Sequence, residues 1–243
     1  MNGPLLRAVS ESLSRARAVV LVRPLEAGSQ YLFDHAGVTA FGTAADGVQS
    51  TLPEELLEHC RDALARDDAR AVEVDPGRFL IQTIAPPPRL IVVGAVHIAQ
   101  KLIPMAQLAG YRVMLLDPRE AFATEQRFPD VEINHGWPQE AMPPLAPDAR
   151  TAVVTLSHDA KIDEPALRCA LQSDAFYIGA LGSRRNHAKR LQRLATLGFD
   201  EEALARICGP VGLALGGRSP AEIAVAILAQ MTQSRYARGV DSR

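Results

Sequence analysis

The sequence predicts an α/β protein in which a doubly wound parallel sheet follows a small mixed α/β domain. Three observations carry that prediction. First, short continuous apolar runs at 90–93, 111–116 and 151–156 alternate with helix-length segments, as strands buried on both faces of a parallel sheet do. Second, Gly94 ends the first run and Asp117 the next, where a dinucleotide fold has its first tight turn and its ribose-binding carboxylate. Third, Pro86-Pro87-Pro88 can continue neither helix nor sheet and prefers an extended form. It divides the chain into an N-terminal domain, 1–85, and a C-terminal domain, 89–243.

The glycine pattern is incomplete. Against G-x-G-x-x-G, Gly94-Ala95-Val96-His97-Ile98-Ala99 keeps the first glycine and has a tolerated alanine at the third. Val96 takes the place of the second, where backbone must approach a pyrophosphate and a β-branched side chain stands in the way. The scaffold is Rossmann-like, but an NAD(P)-dependent oxidoreductase is disfavoured at this loop and stays as an alternative.

A chain of 243 residues, 47% hydrophobic and 22% charged, has ordinary globular composition and enough length for a real core. Its net charge of −2 gives no general attraction to nucleic acid or anionic membrane. No run reaches the roughly 18 apolar residues of a membrane span, and no signal-peptide pattern opens the chain. Cys60, Cys169 and Cys208 are odd in number and widely spaced. They read as reduced thiols of a cytoplasmic protein, without a disulfide frame or metal site.

In chain order, Leu5, Val9 and Leu13 give 4–16 an apolar helical stripe. Residues 18–22 read as a strand, and 31–33 with 38–41 as a hairpin turning at His35-Ala36-Gly37. Ala45-Asp46-Gly47 is a turn. Thr51 is a cap, with Glu54 three residues on and Pro53 opening a helix to about 65. Residues 71–74 and 78–84 form a second hairpin. After Asp117, 121–128 is a loop or short helix. Asp163 caps a helix through 172, with Pro165 in its first turn. Residues 175–178 form a strand. Ser183 caps a helix ending at Gly198, Asp200 caps a short one, and Ser219-Pro220-Ala221-Glu222 is a capping box for the last helix. Residues 240–243 read as a frayed end.

Ligands of such sheets lie beyond the carboxyl ends of the strands, and four features converge there. His97 follows the first strand, as a ligand contact or a solvated histidine. Ser157-His158-Asp159 follows the next; neighbours in sequence do not make a hydrolase relay, so His158 and Asp159 are polar contacts or a plain turn. Gly179, Gly182, Ser183, Arg184 and Arg185 form the third. The helix they open carries Lys189, Arg190 and Arg193 and no acid before Gly198. Arginine beside the positive end of a helix dipole is unfavourable unless an anion sits there; the alternative is a solvated basic face. The fourth is the glycine-rich loop 209–218 with Gly212, a candidate cradle for another anion, preceded by Cys208 as a buried or a reactive thiol.

Together, residues 86–97, Asp117-Pro118-Arg119 with Arg127-Phe128-Pro129, Ser157-His158-Asp159, 177–185 and 210–223 resemble the xanthine dehydrogenase accessory factor family (XdhC/CoxI type). The resemblance covers nearly all of the C-terminal domain in the expected order. It implies a homodimeric maturation factor that binds the molybdenum cofactor, molybdopterin or its dinucleotide form, and assists its sulfuration. Such a factor delivers the cofactor to a molybdoenzyme of the xanthine dehydrogenase or carbon monoxide dehydrogenase type. A cysteine desulfurase and a molybdopterin nucleotidyltransferase are further implied partners, and a docking module without ligand is the alternative. Gly94, His97, Asp117, Arg119, His158, Asp159, Gly179, Gly182, Ser183, Arg184, Arg185 and Gly212 are the implied cofactor contacts. The family's N-terminal glycine-rich stretch commonly holds a cysteine; here 41–48 has none, so no sulfur carrier is expected there.

Overall fold

The computed structural model describes residues 3–26, 28–34, 36–42, 52–75 and 77–237. The expected turn at 45–47, the Thr51 cap and the end at 240–243 lie outside the described residues. The chain divides into two compact units, Met1–Pro86 with Tyr236–Arg243, and Pro87–Arg235.

The first unit is built on an antiparallel sheet. Strand β1 (Val19–Pro24) pairs with β2 (Gln30–Asp34) and β5 (Gly77–Ile84), β2 with β3 (Gly37–Phe41), and β5 with β4 (Ala69–Val74). Alternation along β1 makes two cores. Val20 and Val22 pack with Leu56, Cys60 and Ala63 of helix α2 (Glu54–Arg66). Val19 and Leu21 pack with Leu5 and Val9 of helix α1 (Gly3–Ser14).

The second unit is a six-stranded parallel sheet. Its strands are β6 (Arg89–Val93), β7 (Arg112–Leu116), β8 (Glu132–Asn134), β9 (Thr151–Thr155), β10 (Tyr177–Ala180) and β11 (Ile207–Cys208), in the spatial order β11-β10-β9-β6-β7-β8. Counted within the unit this is 3-2-1-4-5-6, the order of a dinucleotide-binding sheet, with its switch point between β6 and β9. Leu90 and Val92 of β6 face a core shared with helices α3 (His97–Leu108) and α8 (Pro220–Ala237). Ile91 and Val93 face the other layer, built on α4 (Pro138–Leu145), α5 (Ala160–Leu171), α6 (Arg184–Ala195) and α7 (Glu201–Ala205). Both faces of every central strand are therefore covered, which is why the strands read as continuous apolar runs.

The structure differs from the sequence reading in several places. Strands β8 and β11 and helix α4 are additions to it: the strands are short, and α4 carries Pro138, Pro143 and Pro144. Of the two expectations for residues 121–128, a loop or a short helix, the structure shows the loop, built of turns. Helix α5 begins a turn earlier than expected. Its cap is Asp159, whose side chain accepts from Lys161 N at 2.9 Å, while Asp163, 1% exposed, points inward. Ser183 and Asp200 do cap α6 and α7. Ser219 and Glu222 exchange the two bonds of a capping box, Glu222 N to Ser219 Oγ at 3.3 Å and Ser219 N to Glu222 Oε2 at 2.9 Å.

Candidate functional site

Parallel strands put the loops after β6, β7, β9 and β10 on one rim, and ten of the twelve sequence-chosen residues stand there. Gly94 has φ +109°, and a Cβ on it would lie 2.6 Å from the amide nitrogen of Ser157. It lets the β6 and β9 loops meet backbone to backbone. Asp117, fully buried, clamps the same loop from the other side. Its Oδ2 accepts from Ala95 N at 2.7 Å and Arg119 Nη2 at 2.8 Å, its Oδ1 from Arg119 N and Nε, both at 2.9 Å. Burial alone would raise this carboxyl, but the Arg119 fork and the two amides outweigh it and hold it below the usual carboxylate range. The carboxylate that reads in sequence as a ribose contact thus holds four internal donors. Arg119, stacked 4.9 Å over Phe122 and partly exposed, is the outward-facing member of the pair.

At the switch point α3 starts without a side-chain cap: its N-cap is Val96, and the first helical residue, His97, is exposed. Across from it, His158 is exposed and left-handed at φ +63°. Ser157 and Asp163 lock that loop from below, Ser157 Oγ and N donating to Asp163 Oδ1 at 2.6 and 3.2 Å. Asp159 serves as the helix cap, so one of its oxygens is committed to backbone.

The α6 start is different in charge. Gly182 has φ +146°, and Ser183 Oγ accepts from Asn186 N at 3.2 Å. Arg184 and Arg185 are exposed, the first turn has no acidic residue, and among the described residues neither guanidinium has an ion pair. The remaining cations do not share that face. Arg193 pairs with Glu164 at 2.7 Å, and Lys189 is exposed. Arg190, only 6% exposed, donates from Nη2 to Leu181 O at 2.9 Å. Sequence reading misses this inward turn, although Arg190 and the fully buried Leu194 are one helical turn apart and so share a face. Of Leu191, Leu194 and Leu197, the apolar stripe that the sequence offers this helix, Leu197 is instead 53% exposed.

Gly179 and Gly212 stand away from the rim surface. A Cβ on Gly179 would meet Val211 Cγ2 at 2.6 Å, and Gly212, at φ +93°, lies against Ala226 of α8. Gln230 Oε1 ties this corner, accepting from Gly212 N at 2.8 Å and Tyr177 Oη at 2.6 Å. Gly179 thus makes room for the 209–218 loop, and Gly212 lets that loop approach α8. The cradle expected in the 209–218 loop already holds an anion of the chain itself: Glu222 Oε2 accepts from Arg218 N at 3.0 Å and Ser219 N. Burial pushes the Cys208 thiol up, away from the reactive thiolate. Among the described residues no group of three or more His, Cys, Asp or Glu could hold a metal ion, and no helix is long and apolar enough to cross a membrane.

The chain is 39% identical over 95 residues to the molybdenum cofactor insertion chaperone PaoD of Escherichia coli (39% of this chain, 30% of that protein). It is 31% identical over 161 residues to a Bacillus subtilis protein described as a probable xanthine dehydrogenase subunit (65% of this chain, 46% of that protein). A third relative, YqeB of Escherichia coli, is 31% identical over 209 residues, 79% of this chain and 38% of that protein. The chain thus spans less than half the length of these relatives. A solved structure from Bacillus halodurans, described as a xanthine dehydrogenase, matches in fold with a TM-score of 0.71 at 22% identity, over 99% of this chain and 66% of that one. Residues 90–231 match the XdhC Rossmann domain, and the chain belongs to the XdhC family.

Proposed function

We propose that the protein is a maturation factor that holds the molybdenum cofactor, as molybdopterin or its dinucleotide, at the rim of the second unit. It assists sulfuration of the cofactor and its insertion into a xanthine dehydrogenase- or carbon monoxide dehydrogenase-type molybdoenzyme. The observation that carries this reading is the α6 start: two exposed arginines, without an ion pair among the described residues, on a capped helix end with no acid in its first turn. Free first-turn amides and guanidinium forks both favour a phosphate. The uncapped α3 start beside His97 offers a second set of donors, and Arg119 and His158 flank it for the pterin or sugar. When bound, the cofactor supplies molybdenum and dithiolene chemistry; the chain's residues bind, orient and release it. This makes the protein a carrier more than a catalyst.

The strand order also suits NAD(P), the second reading, but Asp117 already holds four donors, and Val96 stands where the phosphate loop has its second glycine. A homodimer in the cytoplasm, handing over to its molybdoenzyme and receiving from a cysteine desulfurase or nucleotidyltransferase, completes the proposal. Native mass spectrometry of the protein purified from a molybdopterin-producing host tests it. A co-eluting pterin phosphate is the expected result. A saturating micromolar response to NADPH, with no pterin, would favour the oxidoreductase.

A further inference from the structure

We infer that the recess between the first turns of α5 and α6 is a phosphate-monoester subsite with Arg190 as its floor. It rests on the carrier reading for the identity of the molecule that bears the phosphate.

The recess measures about 110 Å³ and is lined by His158, Asp163, Leu181, Asn186, Lys189 and Arg190, among others. That size admits a tetrahedral oxyanion. Arg190 is 6% exposed and lacks an acceptor for Nη1 among the described residues, while the facing Asp163, 4.0 Å from Nη2, has Oδ2 unbonded. A buried guanidinium with free donors is unfavourable until an acceptor arrives. The 4.0 Å separation is too long for a hydrogen bond, so among the described residues Leu181 O alone holds the group by one. Turning about that bond gives up only the long contact and brings Nη1 to the recess.

Gly182 leaves the way clear. A Cβ there would lie 3.7 Å from Nη2 and 4.0 Å from Nη1 of Arg190, so a side chain at this position would rest against the guanidinium. Around the mouth, Glu164 is neutralised by Arg193, and Lys189 adds an exposed cation. Asp163 is the one opposing charge among the described residues there. Its Oδ1 is held by Ser157, and burial pushes the carboxyl up toward the form that donates to an oxyanion. Arg184 and Arg185 lie at the start of the same helix, so the ester-linked part of the ligand leaves across the outer rim.

Inorganic phosphate and glycerol phosphate, titrated into the full chain at constant ionic strength and followed by calorimetry, test the subsite. Both should saturate, and Arg190→Gln should weaken both by about tenfold or more, as loss of a charge-assisted pair does. Lys189→Gln, a surface change that leaves folding intact, should weaken both by about threefold. Phosphate heat that matches a chloride control, or affinities unchanged in both variants, overturns the subsite. Binding of phosphate but not of glycerol phosphate overturns its assignment to a monoester. Retention of pterin with phosphate affinity independent of Arg190 would sink the subsite and leave the carrier reading standing; the converse pattern would sink the carrier reading alone.

Discussion

At the residue scale, the rim is held in shape by two buried carboxylates with opposite electrostatic character. Asp117 is fully satisfied and held low; Asp163 is half-satisfied and pushed up. A carboxyl lowered in the folded state contributes stability above its unfolded range, and that contribution is lost as pH falls through the lowered value. Asp117→Asn should therefore cost about 3 kcal/mol at neutral pH, since it leaves Arg119 without its charged partner. It should also flatten the acid limb of a urea-midpoint titration below about pH 4. Asp163 acts with the other sign: its raised carboxyl costs stability as pH rises from the ordinary carboxylate range through the raised value. Gly94→Ala places a Cβ 2.6 Å from Ser157 N at a positive φ. It should destabilise by about 2–4 kcal/mol, seen as a lowered Tm. In sequence that glycine reads as a phosphate turn, and Gly179 and Gly212 as ligand contacts. A glycine that admits a ligand and one that admits a neighbouring loop leave the same letter.

At the scale of elements, caps and apolar runs are legible because their causes are local. The Ser183, Asp200 and Ser219/Glu222 caps and the four central strands of the parallel sheet follow from a few adjacent side chains. What escapes depends on distant partners. Strands β8 and β11 are strands because β7 and β10 offer them an edge, and Asp163 has the sequence context of a cap but is claimed by Ser157. The reassignment of the α5 cap to Asp159 is checkable. Asp159→Ala should lower stability by about 1 kcal/mol, whereas Asp159→Ser should retain most of it, measured by chemical denaturation. A loss of pterin retention in Asp159→Ser at unchanged stability would show instead that the carboxylate touches the ligand.

At the scale of the whole molecule, the gathering of His97, Arg119, His158, Arg184 and Arg185 on one rim is predictable from the parallel sheet alone, since every strand end points the same way. Which of them face outward is not, because Asp117 and Arg190 are turned in by tertiary partners on other loops. The central claim is that the two outward arginines hold the phosphate-bearing end of the cofactor at the rim. Equilibrium gel filtration of the folded protein with molybdopterin, wild type beside Arg184→Ala/Arg185→Ala, measures this directly. The account predicts near-stoichiometric pterin with the wild type and a loss of about tenfold or more in affinity for the double variant, at unchanged Tm. Equal retention by the two proteins would contradict it.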